Sequence, residues 1–357
     1  MATSLPFPVP KPARPARLPI GLTQLALGLA PAVRAQDVYF SQPFATRLHT
    51  NPAFAGLFDD YSITFSFRNQ YPILPGTFKT LQLAADLRPT QRRAPGQHHG
   101  FGLLINYDRS GVGGYARLEA GGIYSYHTRL TTRLALAGGL RASYGRQSVG
   151  YSGLTFGDQF AADGSALGPT AEALTNGAAN YLTLGTGAVL YTENFWLSLA
   201  GQHLNQPNLG FGTGKTSLPV LLNLSAGYKL FIIKQGPGLE VSELSFTPVA
   251  GFSQQGGSQR WEAGLYATAA PVTLGAVYRN IAAAGRVERQ QALAVVAGIQ
   301  TGSLRLGYSY DVGLSDLSTE LGGAHEITLG LRAFNKLENA FRRLKRRDYP
   351  LAPCPVF

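Results

Sequence analysis

From Tyr61 onward the chain alternates between apolar and polar positions. In Tyr61-Ser-Ile63-Thr-Phe65-Ser-Phe67-Arg68 every odd position is apolar and every even one polar. Thr80-Leu81-Gln-Leu83-Ala-Ala85-Asp-Leu87-Arg88 repeats the pattern. A period of two puts one face of an extended strand in an apolar medium and the other in a polar one. Similar runs follow at 99–108, 115–127, 132–144, 181–191, 194–203, 220–230, 242–253, 258–268, 271–280, 290–300, 302–311 and 324–334. The runs number about fourteen and span roughly ten residues each, the length with which a tilted strand crosses a bilayer. The expected fold is all-β, a transmembrane antiparallel up-and-down β-barrel of about 14 strands over residues 61–334.

The polar face separates a barrel from a soluble β-sandwich. Arg117 with Glu119, Arg133 with Arg141, Arg260 with Glu262, Arg305 with Asp311 and Glu326 with Arg332 each share a face of one strand. Such groups are costly against lipid and comfortable in a wet lumen. The opposite face carries Leu134, Leu136, Leu140, Leu182, Leu184, Leu222, Leu224, Leu304, Leu306 and Tyr308. Tyr61, Tyr107, Tyr126, Trp261, Tyr278 and Tyr310 recur near segment ends, where interfacial aromatic girdles are expected. Connections 145–180, 204–219 and 311–323 are long, while most turns at the other end are short. That asymmetry predicts long loops outside and the N-terminus in the periplasm.

Composition sharpens this picture. Hydrophobic residues make up 45% and charged residues 14% of 357, against about 25% charged in soluble domains. No run of 18 or more apolar residues predicts a membrane helix. The net charge of +11 sits mostly at the ends: residues 1–35 carry +4, residues 335–357 another +4, and 36–334 only +3. A near-neutral body removes the case for nucleic-acid binding. Residues 1–35, with Lys11, Arg14 and Arg17 before an apolar stretch and Val33-Arg34-Ala35 at its end, read as a signal peptide. Residues 36–60 do not alternate and are read as a lumen plug or a periplasmic strap. Residues 335–357 form a basic periplasmic tail, with helical spacing over 336–347. The single cysteine, Cys354, cannot make an internal disulfide.

Candidate chemistry is sparse. The six histidines are scattered, and His203 with Asn205 comes closest to a catalytic constellation. No paired-carboxylate, Cys/His metal or phosphate-loop signature stands out, so neither an enzyme nor a cofactor or metal site is expected. Asn51-Pro52-Ala53 reads as a turn or as a partner contact, since the residue before proline is pushed away from helix. Phe156-Gly157-Asp158-Gln159 opens the longest loop and reads either as a binding surface or as a loop folded back into the barrel.

Particular residues carry a resemblance. Gln36-Asp37-Val38-Tyr39-Phe40-Ser41-Gln42, followed by Asn51-Pro52-Ala53-Phe54-Ala55-Gly56, resembles the opening of the PorP/SprF family. Leu154–Gln159, Gln202-His203-Leu204-Asn205-Gln206-Pro207-Asn208, Gly307–Asp311, Gly322–Ile327 with His325 and Glu326, and the terminal Cys354-Pro355-Val356-Phe357 extend it. Ala324 and Thr50 depart from the family pattern. The resemblance implies a Bacteroidota outer-membrane component of the type IX secretion system, associated with gliding. Implied partners are outer-membrane lipid, secreted proteins with C-terminal sorting domains and other, possibly periplasmic, secretion components. Candidate partner-binding residues are Phe40, Ser41, Gln42, Asn51, Pro52, Ala53, Gly56, Phe156, Gly157, Asp158, Gln206, Pro207, Asn208, His325 and Glu326. The alternative reading is a passive outer-membrane porin or solute transporter, which the charged lumen face also suits.

Overall fold

The computed structural model describes residues 37–333 and Cys354, apart from 75, 90–95, 112, 151–153, 162, 164, 166–167, 171–176, 212–213, 234–242, 284–288 and 316–320. The wall runs β1 (Tyr61–Gln70), β2 (Phe78–Leu87), β3 (Gln97–Ser110), β4 (Tyr115–Arg129), β5 (Ala135–Val149), β6 (Gly177–Tyr191) and β7 (Phe195–Gln202). It continues through β8 (Leu221–Tyr228), β9 (Leu230–Ile233), β10 (Leu244–Gln255), β11 (Ser258–Ala269) and β12 (Val272–Ala283). It ends with β13 (Gln290–Thr301), β14 (Leu304–Gly313) and β15 (Ala324–Ala333). β8 and β9 are halves of one strand parted at Lys229, and both pair with β10. Fourteen strand positions therefore make up the wall. Each pairs antiparallel with its sequence neighbour, and β15 pairs with β1 from Tyr61↔Ala333 to Gln70↔Ala324. The barrel is closed, and among the described strands only the short β9, paired with β10 alone, keeps a free edge.

The period of two survives intact. Outward side chains such as Leu140, Leu182, Leu199 and Leu274 are more than half exposed, while inward Arg141, Thr183, Ser198 and Thr273 are buried. The strands outrun the sequence pattern at one end. β5 and β6 continue for several residues beyond the alternation, to Val149 and from Gly177. There the outward positions become Arg146 and Asn180, so the apolar signal fades as these strands rise out of the hydrocarbon layer. Two rims result. The proximal rim is where β1 begins and β15 ends. The loop rim carries the long connections 150–176 and 203–220.

Residues 37–60 lie inside the barrel. Asp37 sits near the loop rim, against Arg117, His203 and Gln255. The segment then descends through a helical turn, Arg47–Thr50, and a tighter 3-10 turn, Pro52–Phe54, to Asp59 and Asp60 at the proximal rim. Its apolar side chains make a core with the wall. Leu48, Ala53, Phe54, Ala55 and Leu57 pack with Leu104, Ile123, Ala137, Val189 and Trp196, and Cys354 joins this cluster at 3% exposure. Phe44 makes edge-on contacts with Trp196 at 5.7 Å and Tyr266 at 5.5 Å. The basic helix expected over 336–347 and the signal peptide expected over 1–35 fall outside the described residues.

The outward face carries a direct test. Leu329→Arg, on the outward row at mid-strand in β15, is expected to cost about 2–4 kcal/mol in lipid vesicles, whereas Leu329→Phe should be near neutral. Urea unfolding of the reconstituted protein measures both, and an unchanged midpoint for the arginine would remove lipid from that face.

Candidate functional site

The chemistry of this chain is concentrated where residues 37–60 meet the inner wall. Three clusters of charged side chains hold the segment at three places. At the proximal rim, Arg47 Nη2 reaches Asp86 at 3.1 Å and donates to Ser62 at 2.8 Å. Arg305 grips Asp59 with both Nη atoms, at 2.7 and 2.9 Å. This is the planar two-point geometry that suits arginine to carboxylates. On the β1–β15 side nearer the loop rim, Arg68 bonds Asp311 at 2.8 Å and Glu326 at 3.3 Å. The Glu326 carboxylate accepts the backbone N–H of Ser41 at 2.6 Å and of Gln42 at 3.1 Å. Arg279 bonds Glu262 at 2.6 Å and Asp311 at 3.2 Å. Against β4 and β5, Arg117 bonds Asp37 at 2.6 Å and Glu119 at 3.1 Å, and Arg141 bonds the other oxygen of Glu119. His203 completes this cluster through Asp37.

Tyr39 occupies the centre of the cluster around Arg68 and Arg279. The guanidinium carbons of Arg68, Arg279 and Arg260 lie 4.8, 4.7 and 5.0 Å from its ring centroid. An aromatic face attracts each of the three cations and spaces them apart.

The Asn51-Pro52-Ala53 turn is seated by hydrogen bonds and by missing side chains. Asn51 Oδ1 accepts the Ala53 N–H at 2.8 Å, which caps the 3-10 turn. Its Nδ2 donates to Ala188 O, Ser198 Oγ and Leu199 O between 2.8 and 3.1 Å. A Cβ at Gly187 would overlap the Asn51 side chain, one at Gly139 the Pro52–Ala53 peptide, and one at Gly100 the Ala55 carbonyl. Ser125 and His127 both hydrogen-bond that carbonyl. Glycine is required at these three wall positions because backbone approaches backbone there.

The expected site residues divide by location. Phe40, Ser41, Gln42, Asn51, Pro52, Ala53, Gly56 and Glu326 are buried inside the barrel and come together at the segment–wall contact. Phe156, Gly157 and Asp158 lie on the loop rim, where Thr170 donates to the Asp158 carboxylate. Gln206 and Asn208 are exposed in the 203–220 loop, with Pro207 buried beneath them. His325 faces outward, bonded to the Tyr308 hydroxyl at 2.9 Å, so it and Glu326 serve opposite faces of β15. His203 and Asn205 do not converge. His203 contacts Thr183 and Asp37, while Asn205 bonds the backbone at Leu182 and Leu184, prolonging the β6 ladder beyond β7. His98 stacks on His127 at 4.1 Å inside, and His99 points outward to Tyr124. No group of three metal-binding side chains occurs among the described residues.

Sequence reasoning placed the charged rows inside but did not find Asp37, Tyr39, Arg47, Asp59, Arg68 or Arg279 as members of one system. The signal available was the presence of charges in a segment without alternation beside charged inner rows of similar number.

A closed antiparallel barrel with lipid-facing leucines and its own N-terminal segment in the lumen defines a membrane β-barrel of the outer-membrane class. The chain belongs to the type IX secretion system membrane protein PorP/SprF family, matching it over residues 32–331. No curated protein matches it. Among solved structures it is similar to the P. putida toluene transporter TodX, at 10% identity and TM-score 0.45, covering 80% of this chain and 93% of that one. It is also similar to CdiB from Acinetobacter baumannii, at 8% identity and TM-score 0.41, covering 77% of this chain and 60% of the other. A porin mutant from Rh. blastica matches at 9% identity and TM-score 0.33, over 76% of this chain and 99% of the porin.

Two expectations follow for the segment. Gly139→Val and Gly187→Val should each displace the Asn51–Ala55 turn at about 1–3 kcal/mol, while Gly138→Val, with nothing within 4 Å, should be neutral. Limited proteolysis within residues 37–60 and thermal unfolding read this out. Acid should loosen the same contact. Burial and the charge of Arg141 push His49 down to about 4 from 6.5. Burial alone would raise Asp37 and Asp59, but Arg117 and His203, and Arg47 with Arg305, hold them below the usual carboxylate range. Between about pH 6.5 and 4 the unfolded chain takes up a proton at His49 that the folded chain refuses. Below that window Asp37 and Asp59 add the same sign, so the stability contributed by these three groups falls as the pH falls. A melting temperature flat from pH 7 to 4 would contradict this.

Proposed function

We propose that this barrel acts in type IX secretion as a rigid outer-membrane scaffold that helps secrete or anchor proteins bearing C-terminal sorting domains. The observation that carries the reading is the tied lumen. Residues 37–60 are bonded to wall strands at three places, and opening a pore along the axis would break several buried ion pairs at once. Removing one partner of such a pair costs about 3–5 kcal/mol. The surfaces left for partners are the two rims, and the 150–176 and 203–220 loops are the largest of them. Long loops on one rim and shorter turns on the other support an outward-facing loop rim.

In this reading Phe156, Gly157, Asp158, Gln206 and Asn208 are the candidate contacts for exported cargo at the cell surface. The buried candidates, from Phe40 to Gly56 and Glu326, act by holding the scaffold's shape. The proximal rim faces other secretion components. Export by a signal peptide over residues 1–35, a role in gliding and a Bacteroidota host accompany the reading.

Deleting the gene and quantifying surface and culture proteins tests this reading. Selective loss of one or a few sorting-domain proteins is expected. The purified barrel should show no steady conductance in a planar bilayer. An unchanged surface proteome together with a stable open channel would replace the scaffold by solute passage.

A further inference from the structure

Residues 37–60 do not fill the lumen evenly. Toward β8 and β10–β12 they leave a cavity of about 120 Å³. Its lower part is apolar: Phe44 from the segment, with Val249, Tyr266 and Val277 from the wall. Its upper part is polar and reaches Ser258, the first residue of β11 at the loop rim.

One side chain in that upper part differs from the rest of its kind. Arg47, Arg68, Arg117, Arg141, Arg279 and Arg305 each hydrogen-bond a carboxylate. Arg260 does not. Its Nη2 donates to Ser253 at 3.0 Å, and its Nε, 3.3 Å from Glu262, is buried without a hydrogen-bond partner. The Glu262 oxygen nearest to it is taken by Arg279 at 2.6 Å. The two acids beyond, Asp311 and Glu326, are held by Arg68, Arg279 and the Ser41 and Gln42 amides. Arg260 and Glu262 keep 22% and 18% of their side chains exposed, more than Arg68, Arg279, Asp311 or Glu326. A half-buried guanidinium without a carboxylate acceptor retains donor capacity, and its planar fork is suited to a carboxylate.

We propose that this cavity is a binding site for a small carboxylate with a compact apolar group. The carboxylate accepts from Arg260, with Ser253 beside it, and the apolar group lies on Phe44, Val249, Tyr266 and Val277. Beside Arg260 the cavity is lined by the acids Glu262 and Asp37, held by Arg279 and by Arg117 with His203, so net charge does not draw the ligand. The Arg260 guanidinium, which lines the cavity and hydrogen-bonds no carboxylate, and the apolar floor select it. The same chemistry is offered by a free branched-chain acid and by the C-terminal residue of a peptide. The inference is independent of the secretion reading, because it concerns a lumen site that either a scaffold or a transporter would possess.

The test uses calorimetry on the full-length barrel in detergent with four probes: isovalerate, isovaleramide, Gly-Gly-Leu and Gly-Gly-Leu-amide. Saturable binding of isovalerate or Gly-Gly-Leu, with the matching amide weaker by roughly tenfold or more, is expected. Which acid binds distinguishes the free acid from the chain terminus. Arg260→Gln should abolish binding. Because Arg260 also contacts Tyr39, Ser225→Leu provides a second variant: it fills the cavity from β8 and leaves the ion cluster intact. It should abolish binding with an unchanged melting temperature. Equal binding of acid and amide, no saturation by either acid, or binding that survives Ser225→Leu would overturn the proposal.

Discussion

Charged side chains on the inside of a filled barrel need partners of opposite sign, because a lumen packed with its own chain holds too little water to solvate them. This wall directs Arg68, Arg117, Arg141, Arg279 and Arg305 inward, together with Asp86, Glu119, Asp311 and Glu326. Wall-to-wall pairs such as Arg141 with Glu119 and Arg279 with Glu262 satisfy part of that demand. The rest is met from the N-terminal segment. Asp37 and Asp59 answer wall arginines, Arg47 answers Asp86, and the Ser41 and Gln42 amides answer Glu326. Wall and segment are one electrostatic unit, so neither reaches its observed arrangement without the other.

Apolar packing makes that unit specific. Phe44 packs on Trp196 and Tyr266, and Trp196 in turn occupies the space left by Gly227. The Asn51 turn is fitted against Gly100, Gly139 and Gly187, where the wall offers bare backbone. Ion pairs set which groups must meet, and these close approaches set the height at which they meet. The fit is looser toward β8 and β10, where Lys229 interrupts the strand and the cavity beside Arg260 remains.

A lumen tied in this way moves the working surface of the protein to its rims. That suits the scaffold role proposed for it. The family assignment supplies the system in which it works, while the geometry indicates how a barrel can serve it as a rigid support.

The sequence by itself determined the wall. Alternation is a local property, two residues long, and it marks strand number, inward and outward faces and antiparallel order before any contact is known. Its failures were also local: β5 and β6 run past the pattern because outward residues above the hydrocarbon layer no longer need to be apolar. The path of residues 37–60 was decided only by the tertiary structure. Those residues have no period, and their partners lie far along the chain, with Ser41 bonded to Glu326 across 285 positions. Pairing a charge with one of several possible counter-charges depends on which of them the closed barrel brings within reach, and a period of two holds no information about that.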